Sequence, residues 1–121
     1  MTLLFIGLGG AAGAVLRYLA TLSVARLVGT GFPYGTLAVN VLGAFAMGLA
    51  YHLLVERGPL PLAPAVTTGL LGGFTTFSAF SLETLLLIEA GRLGSALAYV
   101  GLSVLACLGA LTLGLFAARA L

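Results

Sequence analysis

Only eight formally charged side chains interrupt this 121-residue chain, and they leave uncharged runs at 27–55, 58–82 and 93–118. A first run, 1–16, is broken by Arg17 and then continues to Ala25. Crossing a hydrocarbon core of about 30 Å takes about 20 helical residues at about 1.5 Å each. Each run therefore has the length of one crossing. A chain that is 61% apolar and 7% charged cannot clothe an aqueous globule of this size. The expected fold is all-α and membrane-embedded, a single transmembrane domain over 1–121 with helices near 2–26, 34–54, 62–88 and 93–118. Gly29-Thr30-Gly31-Phe32-Pro33, Glu56-Arg57-Gly58-Pro59-Leu60-Pro61 and Gly91-Arg92 separate them. These loops leave no room for a soluble domain. Residues 1–16 lack the basic flank of a cleaved signal peptide.

The five arginines are scattered and there is no lysine, so the net charge of +2 makes no patch for nucleic acid. On the four-helix path the N-terminus, Arg57 and Arg119 share one membrane face, and Arg26 and Arg92 share the other. Two arginines against two give the insertion machinery no strong preference, which suits copies entering in both orientations and pairing antiparallel. Arg17, about 22 Å along the first helix, can snorkel to the far interface beside Tyr18. A single Cys107 forbids an intrachain disulfide and a cysteine metal cluster. Four short helices enclose little space, so assembly is expected. Gly9, Gly13, Gly43 and Gly48 provide faces for close helix approach, between copies or within one chain.

Polar residues concentrate in the third span, where Gly69, Gly72 and Gly73 precede Thr75, Thr76, Ser78 and Ser81. From Leu62, Gly72 lies about 15 Å in and Thr75 about 20 Å in. A helix should weaken there, and freed carbonyls at that depth must be buried, line water or hold a cation. The alternative is a close crossing whose hydroxyls bond back to the preceding turn. Phe77 and Phe80 share a face with Glu83. Phenylalanines there can simply pack, or their electropositive ring edges can face an anion without trapping it. Glu83, near the span's end, is expected to snorkel or to partner an arginine. Thr36 and Asn40 share a face of the second span, and Asn40 reaches the depth of Phe77. Its amide serves either as interhelical glue or as an anion donor. Ser95, Tyr99, Ser103 and Cys107 form a column on the fourth span, about 18 Å long. His52 reads as interfacial.

At these residues the chain resembles the CrcB/Fluc family of fluoride channels along nearly its whole length. The most specific block is Gly72-Gly73-Phe74-Thr75-Thr76-Phe77-Ser78-Ala79-Phe80. Gly35-Thr36-Leu37-Ala38-Val39-Asn40 with Gly43 and Gly48, and Gly9-Gly10 with Gly13-Ala14 and Arg17-Tyr18, occur in the same order as in the family. The resemblance implies a dual-topology homodimer of antiparallel four-helix subunits in the cell (inner or plasma) membrane. It implies two fluoride pores and a structural, untransported sodium ion at the dimer centre. Its ligands would be the carbonyls of Gly72 and Thr75 from both subunits. Phe77, Phe80 and Asn40 would line the pore, and Tyr99 with Ser103 would continue it as a hydroxyl track. Thr36, Thr76, Ser78, Glu83 and Arg17 are candidates for pore or supporting roles. Ala79 stands where the family often has Thr, and Cys107 where Ser is often found.

No acidic dyad, Ser-His-Asp set, histidine cluster or Walker loop is present, so an enzyme or an ATP-driven pump is not expected. The resemblance points to passive fluoride export. A small multidrug exporter has similar length and antiparallel dimers, but it needs a membrane-embedded carboxylate to exchange protons for cationic drug. Only Glu83 could serve. A third reading, a non-transporting structural subunit, assigns the glycines to packing and the polar residues to glue.

Overall fold

The computed structural model describes residues 1–121 as helices joined by short turns, without a strand. Helix α1 (Thr2–Val28) ends at Gly29, whose φ of 83° lies in the region that a side chain disfavours. Helix α2 (Tyr34–Tyr51) widens into a π-wound turn over His52–Glu56. Helix α3 is the π-wound stretch Ala65–Leu71 running into Gly72–Phe74. Helix α4 (Ser78–Glu89) completes the third crossing, and α5 (Leu93–Arg119) is the fourth. Four segments, Thr2–Val28, Tyr34–Glu56, Ala65–Glu89 and Leu93–Arg119, are long and apolar enough to cross a membrane.

The third crossing is helical from Ala63, and the Val66 N–H bonds to the Leu62 carbonyl at 3.2 Å. Pro61 and Pro64 lack an N–H, which confines them to a turn and to the helix entry, where that donor has no intrahelical partner. Backbone contact sets the packing. A Cβ on Gly13 would stand 2.1 Å from the Leu70 carbonyl oxygen, and one on Gly48 would stand 2.2 Å from that of Leu111. Gly9 is crowded by the Ala65 carbonyl oxygen at 2.5 Å, and Gly43 by the Thr75 side-chain methyl at 2.2 Å. All four glycines therefore close helices onto one another within the chain.

Because lipid supplies no hydrophobic drive, little of the chain hides from its surroundings: 16 of 121 residues are buried. The fully buried large side chains are Tyr99 and Val39. Tyr99 packs with Leu87 and Ala96, and Phe32, Leu37 and Phe80 border them. Polar ties hold both ends. Glu56 accepts from Arg119 Nε at 3.0 Å and pairs with His52 Nδ1 at 2.7 Å, which joins the ends of α2 and α5. At the other end Arg92 donates to the Gly31 carbonyl, joining the loop before α5 to the loop before α2.

Candidate functional site

The third crossing breaks at Thr75, which is extended at φ −86° and ψ 160°. Two diverted hydrogen bonds produce the break. In a continuous helix the Thr76 N–H would bond to the Gly72 carbonyl four residues back. Instead it donates to Asn40 Oδ1 at 2.8 Å, while Asn40 Nδ2 donates to the Thr76 carbonyl at 3.0 Å. The Ala79 N–H, which would reach the Thr75 carbonyl, goes to Thr76 Oγ1 at 3.2 Å. The carbonyls of Gly72 and Thr75 thus lose their ordinary donors on consecutive turns of main chain.

Gly72-Gly73 is not where the helix fails. Gly72 is helical at φ −63° and ψ −36°, and a Cβ on Gly73 would stand 2.5 Å from the Gly10 carbonyl oxygen. Gly73, with Gly69, seats the third crossing on α1, whereas Gly72 meets only the Thr67 carbonyl oxygen of its own segment, and an amide from α2 takes the Thr76 N–H where the helix is interrupted. No trio of His, Cys, Asp or Glu side chains is gathered in the chain. The freed carbonyls are the groups suited to a hard cation.

Beside the break lies a cavity of about 570 Å³. Asn40, Gly72, Thr75, Thr76, Phe77, Phe80, Ser103 and Cys107 border it, together with apolar side chains that include Met47 and Leu111. Ser103 is 6% exposed, and its Oγ has no hydrogen-bond partner. Thr67, Thr75, Ser81, Thr84 and Thr112 all return their hydroxyl to the carbonyl four residues back. The Ser103 hydroxyl makes no such bond. Asn40 Nδ2 commits one of its two N–H donors to Thr76 and keeps the second. Across the cavity the rings of Phe77 and Phe80 lie 5.4 Å apart, and Phe77 is 78% exposed.

Tyr99 and Glu83 do not border this cavity. Glu83 accepts from Thr36 Oγ1 at 2.6 Å and from the Tyr99 hydroxyl at 3.3 Å. Its partners are hydroxyls, and it neither snorkels free nor pairs with an arginine, because α2 and α5 flank α4 at this depth and present Thr36 and Tyr99 to it. Phe80 joins the two groups, with its ring 5.2 Å from that of Tyr99. Ser78 is exposed at the start of α4, 3.3 Å from the Thr76 hydroxyl. Arg17 is half-buried on α1, away from the cavity and without an ion-pair partner. The apolar cavity wall, Met47 and Leu111 among it, carries no signal in the sequence that separates it from lipid-facing residues.

A four-crossing α-helical bundle whose interrupted third crossing sits beside a cavity with unused hydrogen-bond donors defines a small multi-pass protein of the cell membrane. The family description "CrcB-like protein, Camphor Resistance (CrcB)" matches residues 4–115, and the chain belongs to that family. A relative from Ruegeria sp. (strain TM1040) is 52% identical over 98% of this chain and 95% of its own length. One from Paracoccus denitrificans (strain Pd 1222) is 50% identical over 99% and 96%, and one from Geobacter sp. (strain M21) is 48% identical over 98% of both. All three carry the name fluoride-specific ion channel FluC.

Proposed function

We propose that the chain is a fluoride channel that passively exports fluoride from the cytoplasm, assembled as an antiparallel homodimer of dual topology. The observation that carries the reading is the Ser103 hydroxyl, buried without a partner at a cavity walled by Phe77 and Phe80. A small anion gives up strongly bound water on entry, so the path must replace that water with donors that hold it weakly. The Ser103 O–H, the second Asn40 N–H and the two ring edges are donors of that kind. The names of the relatives, at about half identity over nearly full length, agree with this choice of anion.

The break supports the homodimer and a sodium ion within it. Gly72 and Phe77 are exposed on the outside of a single chain at mid-membrane depth, where lipid cannot satisfy a freed carbonyl. A second copy against this face would cover it. The two diverted hydrogen bonds make the Gly72 and Thr75 carbonyls fit ligands for a hard cation, and such an ion would balance the carbonyl dipoles of the broken helix. The proton-coupled exporter finds less support, because both oxygens of Glu83 are engaged by hydroxyls.

The test is fluoride-electrode efflux from liposomes holding the purified chain, with chloride as control. The wild type releases fluoride and retains chloride, and Phe77→Ile or Phe80→Ile slows release while the assembly persists on size-exclusion chromatography. No fluoride release from the wild type would overturn the function and leave the structural-subunit reading. Unchanged release from both variants would remove the rings from the path.

A further inference from the structure

A second chamber, of about 330 Å³, lies one helical turn from the first, toward the other end of the bundle. On α2, Asn40 borders the first chamber and Thr36, four residues before it, borders the second. On α4, Phe80 borders the first and Glu83, three residues after it, borders the second. On α5, Ser103 borders the first, and Tyr99, one turn before it, donates its hydroxyl to Glu83. Three helices thus make the same step of about 4.5–6 Å from one chamber to the next. The contacts among Phe80, Tyr99, Glu83 and Thr36 form the partition between them. On its other side the second chamber is bounded by Gly29-Thr30-Gly31-Phe32-Pro33 and Arg92, which fall between crossings at the membrane boundary. Gly72 and Phe77, on the face that a second copy would cover, take no part in it. Among the residues that border this chamber Arg92 is the only cation and Glu83 the only carboxylate. Arg92 is exposed and pairs with no carboxylate, while the Gly31 carbonyl and Ser95 Oγ, the latter at 3.4 Å, accept from its guanidinium and hold it at the mouth.

We infer that the second chamber is the opposite mouth of the anion route, and that Arg92 concentrates anion at it. The inference rests on the channel reading above and adds to it the residue that sets the charge of this mouth. An anion at Glu83 meets like charge, so a route through this chamber needs a cation to offset the carboxylate. Arg92 supplies it. Because the guanidinium is exposed, water weakens its pull, and it attracts an anion without trapping it. One unit charge about 4–10 Å from the path changes the local anion concentration about two- to sixfold in water. That attraction fades with salt, since the screening length falls from about 30 Å at about 0.01 M to about 3 Å at about 1 M. A residue that only anchored the loop through Gly31 would show no such dependence.

The experiment records fluoride current through wild-type, Arg92→Gln and Arg92→Lys protein in planar phosphatidylcholine bilayers, which carry no net charge. Fluoride activity is held fixed while sodium isethionate sets the ionic strength between about 0.01 M and about 1 M. Glutamine keeps an N–H donor for the Gly31 carbonyl and loses the charge, whereas lysine keeps the charge. At low ionic strength Arg92→Gln is expected to carry about two- to sixfold less current than the wild type, and at high ionic strength to approach it. Arg92→Lys follows the wild type at both. The wild type's own current falls as salt rises, which tests the inference even if Arg92→Gln does not assemble. Equal currents in wild type and Arg92→Gln at low ionic strength would overturn the inference and leave the channel reading standing. A loss that persists at high ionic strength, or that Arg92→Lys shares, would make Arg92 a loop anchor and overturn it too. A wild type without fluoride current would sink the channel reading and this inference with it.

Discussion

Replacing Asn40 by leucine, close in size but unable to hydrogen-bond, tests whether one side chain holds the third crossing open. The variant removes the 2.8 Å and 3.0 Å bonds to the Thr76 peptide. Their net contribution is about 0.5–1.5 kcal/mol each, and a stranded polar group adds about 1–3 kcal/mol. The Thr76 N–H has an alternative acceptor in the Gly72 carbonyl, but the Thr76 carbonyl receives no other hydrogen bond. One group is therefore left without a partner, and the expected loss of stability is about 2–4 kcal/mol. Denaturant unfolding in detergent, followed by circular dichroism, reads that loss. Amide exchange at Thr76 reads the cause, because a rewound turn protects the N–H through Gly72. Fluoride efflux should fall in the same variant, since the cavity loses both its donor and the turn that shapes it. A loss below about 0.5 kcal/mol with unchanged exchange would show that the break does not depend on Asn40.

Ser103→Ala removes a hydroxyl that bonds to nothing in the chain, so stability should hold within about 0.5 kcal/mol while fluoride efflux drops; a matching loss of stability would mean that the hydroxyl is structural. Gly48→Ala forces a Cβ against the backbone of Leu111 and Leu115 and should cost about 1–3 kcal/mol by the same denaturation assay. Gly101→Ala meets nothing within 4 Å and should be neutral or stabilise by about 0.5–1 kcal/mol, so equal costs at the two glycines would contradict the packing described.

The crossings could be read from the sequence because charge placement and helical rise are local rules. The third crossing could be read as weakened, but the reason for its weakness could not. The break falls at Thr75, inside the block of glycines and hydroxyls from Gly69 to Ser81, but neither the close approach of Gly73 to Gly10 nor the bond from Thr76 to Asn40, 36 residues away in sequence, is legible there. The pairing of Glu83 with Thr36 spans 47 residues and depends on how α2 and α4 lie against each other, which periodicity does not encode. For Gly9, Gly13, Gly43 and Gly48, contacts within the chain and contacts between copies demand the same small residue, so only coordinates separate the two. The column Ser95, Tyr99, Ser103 and Cys107 was visible as a stripe. Its division into a buried tyrosine that braces Glu83 and a lower pair that borders the cavity was not.

Helices α1 and α5 each have 27 residues, about 40 Å of rod, against a hydrocarbon layer of about 30 Å. Their last turns hold Arg26 and Arg119, which the path of the chain delivers to opposite leaflets. Arginines near span ends snorkel toward the interface, so each guanidinium can reach the phosphates of its own leaflet and moor the chain from both sides. It cannot rise or sink in response to a thinner bilayer. It must lean, and the mismatch between protein and lipid becomes a change of tilt.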